Sequence, residues 1–333
     1  MWNILIKINK KLVIAIPVMM AAGFLFGLQV DAGIVKQLKK LIMPLTFLMV
    51  YPMMVTLNIK HLKEGIKNVR LQVLTQAINF GIIPFLAYGL GLYFFKGQPY
   101  MALGLLLASL LPTSGMTISW TGFAKGNMGA AINMTVIGLT AGSLATPFYV
   151  QWLMGTKVDV NVVLVIKQIV LIVFVPMLLG AMTRSALLRR YPMPVFKKEI
   201  APRFPALSTL GVLGIVFVAL ALKARTIAQD PAILGAIFVP LVIIYTVNFT
   251  LGTVVGKLFF PRGDAIALVY GTVMRNLSIA LAIAINAFGV EGANAALVIA
   301  ASYIIQVQSA AWYVKLTDVF FGPVAEATEG AAR

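Results

Sequence analysis

The chain contains no cysteine, one histidine and ten acidic residues among 333, and each scarcity removes a class of chemistry. Without cysteine there is no disulfide, no thiolate metal ligand and no cysteine nucleophile. The one histidine, His61, sits in a basic stretch with no second histidine to complete a metal site. Every acid falls near the end of an apolar run or in a connection: Asp31, Glu64, Asp159, Glu199, Asp230, Asp264, Glu291, Asp318, Glu326 and Glu329. Carboxylates are the usual proton relays inside a membrane, and no mid-membrane acid is available here. No nucleophile, base and orienting group assemble within one pocket, so the sequence does not read as an enzyme. Neither a metal nor a cofactor is expected.

What the chain has in excess is apolar surface. It is 60% hydrophobic and 11% charged, against roughly 25% charged residues in a soluble domain. The apolar residues come in ten runs, at about 12–28, 41–57, 71–95, 101–122, 129–153, 160–182, 207–222, 232–259, 265–288 and 293–321. Each is long enough to cross a hydrocarbon core of ~30 Å. The formal charge of +17 is scattered over the short connections, which is a topology signal rather than a nucleic-acid footprint. With ten spans and the amino terminus inside, the inner side collects most of the bases, including Lys7, Lys10, Lys11, Arg189, Arg190, Lys197 and Lys198. Both termini are therefore expected in the cytoplasm, in a multi-pass protein of the inner or plasma membrane. Lys36, Lys39 and Lys40 fall on the outer side and fit an amphipathic lead-in to the second span.

The halves of the chain resemble each other. Val13-Ile14-Ala15-Ile16-Pro17 matches Ile172-Val173-Phe174-Val175-Pro176, Ile78-Asn79-Phe80 matches Val247-Asn248-Phe249, and Ala145–Gln151 matches Ser309–Lys315, in the same order. A duplication of five spans, an odd number, makes the second copy enter from the opposite side, giving inverted repeats at about 12–153 and 160–321. The expectation is an all-α polytopic membrane protein, one transmembrane domain over 1–322 with a short tail at 323–333. Spans four and nine are interrupted at matching places, by Leu111-Pro112-Thr113-Ser114-Gly115 and by Gly271-Thr272-Val273-Met274-Arg275-Asn276. A broken span is tolerated only where it lines a protein cavity, and paired breaks mark a solute site near the midplane.

Arg275 is the one charge placed well inside a span. It can cap carbonyls freed at the break, attract an anionic solute, or occupy the place of a coupling cation. Asn276 and Ser278 on span nine, Thr113, Ser114, Thr117 and Ser119 on span four, and Asn133 on span five surround the expected crossing. Gln72, Gln76 and Asn79 on span three and Thr135 and Thr140 on span five extend a polar cavity or ion site. For any single one of these, a hydrogen bond between helices is the plainer explanation. Gly23 and Gly27, and Gly211 and Gly214, are expected to permit close helix packing.

Met49-Val50-Tyr51-Pro52-Met53-Met54, Ala124-Lys125-Gly126-Asn127 and Asn276-Leu277-Ser278-Ile279-Ala280-Leu281-Ala282 resemble stretches of Acr3-type arsenite carriers. Together with the ten spans and the paired breaks, they make the chain similar to the superfamily of bile acid:sodium symporters and Acr3 carriers. The resemblance implies two five-helix repeats with helices four and nine crossing. It also implies a core module of spans three to five and eight to ten working against a panel of spans one, two, six and seven. Where Acr3 carriers place a cysteine and a glutamate, this chain has Thr113 and Ser278. Where the symporters place a glutamate and a Gln-Asn pair at their sodium site, it has Gly271 and Arg275-Asn276. The resemblance therefore gives no support to thiolate capture of arsenite, or to sodium coupling at that site. The reading is a secondary transporter of a small, anionic solute by alternating access, with arsenite or metalloid efflux as the rival. A channel or a non-transporting sensor is the alternative outside that class. The expected partners are a small-molecule or ion substrate and the lipid bilayer, with no nucleic acid and the oligomeric state open.

Overall fold

The computed structural model describes residues 2–56, 68–229 and 231–323. His61, Glu64 and Asp230, the acids Glu326 and Glu329, and the tail beyond residue 323 lie outside the described residues. Helix α1 (Trp2–Lys10) leads into α2 (Leu12–Gln29). Short helical turns at Ala32–Gln37 and Leu38–Leu41 carry the chain into α3 (Ile42–Thr56). Next come α4 (Val69–Phe94), α5 (Pro99–Leu110), α6 (Gly115–Phe123), α7 (Met128–Met154) and α8 (Val162–Arg190). The remainder is α9 (Arg203–Gln229), α10 (Ala232–Phe259), α11 (Arg262–Val273), α12 (Leu277–Phe288) and α13 (Gly292–Phe321).

Helix is the form these runs must take, because in lipid a segment has to pair its own N–H and C=O groups. Among the described residues, six helices are long and apolar enough to cross a membrane, and shorter apolar helices include Ile42–Thr56, Pro99–Leu110 and Leu277–Phe288. Large apolar side chains such as Phe148, Trp152, Trp312 and Val319 stand on the outside, a surface that water would not tolerate in patches of this extent and that a bilayer would. The protein is an all-helical, multi-pass membrane protein.

Small residues let the helices approach. A Cβ on Gly23 or Gly27 of α2 would collide with the backbone oxygen of Phe217 or Ala221 on α9, and a Cβ on Gly211 would lie 2.5 Å from the Met49 nitrogen on α3. The expected packing role of these glycines is thus met. One expectation shifts. The sixth run, expected to end near residue 182, continues further: α8 runs on to Arg190 and a further turn spans Phe196–Ile200. The helix persists because its polar groups find partners, Thr183 with the Tyr51 hydroxyl at 2.8 Å and Arg184 with the Thr56 carbonyl at 3.1 Å.

Two interrupted helices occupy the centre. Met101–Leu110 of α5, Ala265–Val273 of α11 and nearly all of α12 are buried. α4 is locally π-wound over Ala77–Ile82. Pro84 has no N–H to give to the carbonyl four residues earlier, and that carbonyl, Phe80, instead accepts the Tyr149 hydroxyl at 2.7 Å.

Candidate functional site

The breaks fall where the sequence places them. α5 ends at Leu110 and α6 starts at Gly115, while α11 ends at Val273 and α12 starts at Leu277. Pro112 and Arg275 pair as a single antiparallel β-bridge. Thr113 N–H donates to the Met274 carbonyl at 2.7 Å, and Asn276 N–H donates to the Leu111 carbonyl at 2.8 Å. Each extended peptide satisfies the other, as buried backbone must.

Around this bridge, polar side chains take up the carbonyls that the broken helices release. Asn79 Nδ2 reaches the Gly271 carbonyl at 3.1 Å and Asn248 Nδ2 reaches that of Thr272 at 2.8 Å. Arg275 Nη1 reaches the Ser109 carbonyl in the last turn of α5 at 3.1 Å. The backbone N–H of Arg275 donates to Gln306 Oε1 at 2.8 Å, Gln306 Nε2 donates to the Arg275 carbonyl at 3.3 Å, and the Tyr245 hydroxyl donates to the same Oε1 at 3.0 Å.

The two second half-helices are capped alike. Ser114 Oγ accepts from Met116 N–H, Thr117 Oγ1 accepts from Ser114 N–H, and Asn276 Oδ1 accepts from Ile279 N–H. Thr113 holds φ at +67°, a left-handed conformation uncommon outside glycine. Its hydroxyl faces the carbonyls of Pro112, Met134 and Thr135. Gly138 and Gly142 on α7 make the room: a Cβ at Gly138 would lie 2.7 Å from Thr113 Oγ1, and one at Gly142 would lie 2.8 Å from Pro112 Cδ.

Arg275 is 4% exposed. Among the described residues its Nη2 has no protein acceptor, and it lines a small cavity with Ser109, Tyr245, Asn248 and Ser302 among apolar neighbours. The cavity is about 20 Å³, enough for one water or slightly more. Asn248 Oδ1, an acceptor, is also without a protein partner. No group of three or more His, Cys, Asp or Glu side chains that could hold a metal occurs among the described residues.

The structure brings Thr113, Ser114, Thr117, Thr135, Arg275 and Asn276 together at the bridge, since Thr135 Oγ1 also approaches the Ser114 carbonyl at 3.4 Å. Ser278 pairs with the Tyr303 hydroxyl at 2.6 Å, and Ser119, exposed on α6, bonds back to Gly115. Of the residues expected at the site, only Arg275 lines the small cavity. Asn79 joins the break from α4, whereas Gln72 Oε1 and both amide atoms of Gln76 are buried without protein partners. Asn133 and Thr140 are half-buried on α7, two turns apart on one face. Sequence reading missed Ser109, Tyr245, Gln306 and Tyr303. The signal was present in Gln306, an amide in the middle of an apolar span.

The model of the Sodium Bile acid symporter family matches residues 43–230. The uncharacterized protein YbaS of Bacillus subtilis is 25% identical over 232 residues, 69% of this chain and 74% of that protein. The arsenical-resistance protein Acr3 of Alkaliphilus metalliredigens is 24% identical over 211 residues, 60% of this chain and 59% of that protein. The uncharacterized sodium-dependent transporter YocS of Bacillus subtilis is 24% identical over 243 residues, 71% of this chain and 72% of that protein. Since the family model covers more than half of the chain and the structure is a bundle of apolar helices, the chain belongs to the Sodium Bile acid symporter family and is a membrane transporter.

Proposed function

We propose that the protein is a secondary carrier, not an enzyme, that moves a small anionic solute by alternating access, with the solute held where the two broken helices meet. The observation that carries this reading is the buried Arg275, whose Nη2 lacks a protein acceptor beside a backbone bridge between two interrupted helices. A charge at that depth is costly, by ~2.5–3.5 kcal/mol on insertion scales, and every acid falls near a run end or in a connection, so none lies at that depth to balance it. The first turns of α6 and α12 add partial positive charge, which favours an anion.

Ten spans in two inverted repeats are part of the same proposal. It is supported by matching contacts at matching places: a Cβ on Gly91 would meet Ala102 between α4 and α5, and a Cβ on Gly256 would meet Ala265 between α10 and α11. Alternating access is supported by an asymmetry. α12 packs against α3 and α8, and Asn286 reaches Thr46 of α3 at 3.4 Å. α6 packs mainly on α7, α11 and α13, and leaves Gly115, Ser119 and Phe123 exposed. With both termini in the cytoplasm of a cell whose inner or plasma membrane holds the protein, α6 is the inner half of its span and the described state is open inward.

The test is thermal stabilisation of the purified protein by a panel of small organic anions, oxyanions and arsenite, followed by counterflow in proteoliposomes. An anion that stabilises the fold by mass action should also show saturable counterflow. Arg275→Ala should weaken its binding at least tenfold, and unchanged affinity would overturn the anion assignment.

The second reading, arsenite efflux, is favoured by the likeness to Acr3. The hydroxyls of Thr113 and Ser278 are already engaged with protein partners, which weighs against metalloid ligation. Rescue of an arsenite-sensitive host would reverse that judgement. Unsaturable flux would point to a channel, and ligand binding without flux to a sensor.

A further inference from the structure

At the meeting of the breaks, α5 and α11 both end, and the C-terminal pole of each carries about half an elementary negative charge. The carbonyls of Ser109, Gly271 and Thr272 point into side chains rather than into helix, accepting from Arg275, Asn79 and Asn248 in turn. Broken-helix carbonyls of this kind are what coordinate a dehydrated monovalent cation in carriers with interrupted spans. Two of the three are met by neutral amides. The third, at the end of α5, is met by a guanidinium covalently attached to the other broken segment, and Asn248 Oδ1 faces the same region with no protein donor. No carboxylate lies deep within a span to attract a second cation, since every acid falls near the end of a run or in a connection, and a mobile cation beside Arg275 would be repelled in a poorly screened interior.

We propose that Arg275 is a tethered substitute for a coupling cation: its charge neutralises the paired helix ends, so the carrier folds around and binds its solute without sodium or another alkali cation. This deepens the proposed function and rests on the crossing being the solute site. It also departs from what the family description names, because the residues at the break do not fit a sodium ion while the guanidinium is there.

The experiment uses cations alone. The purified full-length protein is unfolded thermally at constant ionic strength, with choline replaced stepwise by sodium, potassium or lithium. Wild type is expected to show no saturable response to any of the three. Arg275→Gln, which supplies an amide oxygen in place of the charge, is expected to unfold several degrees lower in choline and to recover saturably in one alkali cation. Arg275→Lys retains a tethered charge and should remain indifferent. A saturable sodium response in wild type or in Arg275→Lys overturns the proposal, as does an Arg275→Gln protein that behaves identically in choline and in all three cations. If Arg275→Gln folds only when prepared in an alkali cation, the proposal is supported; if it folds in none, the proposal fails. Failure of wild type to bind any anion removes the solute assignment and leaves the cation result standing, so the two readings fail separately.

Discussion

Gln306→Leu tests how much the helix breaks depend on one side chain. Gln306 accepts from the Arg275 N–H at 2.8 Å and the Tyr245 hydroxyl at 3.0 Å, and donates to the Arg275 carbonyl at 3.3 Å. It is 1% exposed, so leucine fits by volume but leaves three polar groups unmatched. Each orphaned group costs about 1–3 kcal/mol in a protein interior, and side-chain bonds between membrane helices average about 0.6 kcal/mol, because the unfolded state in the bilayer also finds partners. Two of the three groups are backbone atoms in an extended peptide, with no helix to re-pair them, so the expected loss is about 2–5 kcal/mol. The assay is equilibrium unfolding in detergent micelles, without solute. Adding Tyr245→Phe removes one orphan, so the double variant should be more stable than the sum of the single losses by roughly 0.5 kcal/mol or more. Gln306→Glu keeps the acceptor oxygen for both donors and, only as the neutral acid, supplies an O–H to the Arg275 carbonyl, so it should recover most of the stability at low pH and lose it as the carboxyl ionises. If Gln306→Leu unfolds within about 0.5 kcal/mol of wild type, the range of an ordinary surface change, the bridge is held by its backbone bonds and the reasoning is wrong.

Gly27→Val should drive α2 from α9, since even a Cβ there meets the Ala221 carbonyl oxygen. The loss is at least ~1–3 kcal/mol of overpacking, read as a lower unfolding midpoint, and an unchanged midpoint would deny the close approach. Asn276→Ala removes the cap on α12 and should cost about 0.5–2 kcal/mol, while Asn276→Asp should retain the cap and the stability. Arg262→Gln breaks the 2.5 Å pair with Asp318, whose side chain is 63% exposed. The loss should stay near ~0.2–1 kcal/mol and shrink further in molar salt; a salt-independent loss would assign the effect to the bonds from Arg262 to the carbonyls of Gly322 and Lys125 instead.

The positions of the helices were legible in the sequence because lipid permits little else: an apolar run must be helical, and a proline or a polar residue inside it shows where it cannot be. Leu111–Gly115 and Gly271–Asn276 could be read as breaks on that ground alone, and so could the burial of Arg275, the one charge placed well inside a span. The glycines at 23, 27 and 211 announced close contact, although not with which helix. Partner choice belongs to tertiary structure. That Asn79 reaches Gly271, Gln306 reaches Arg275 and Arg275 reaches Ser109 joins residues 31 to 192 positions apart, and no local propensity encodes such a distance. For the same reason the sequence could name Arg275 as anion site, carbonyl cap or cation substitute without choosing among them. Only the packed chain shows that one nitrogen of the guanidinium is already given to the end of α5 while another faces a water-sized cavity, because the direction of a side chain is fixed by what packs around it and not by where it stands in the chain.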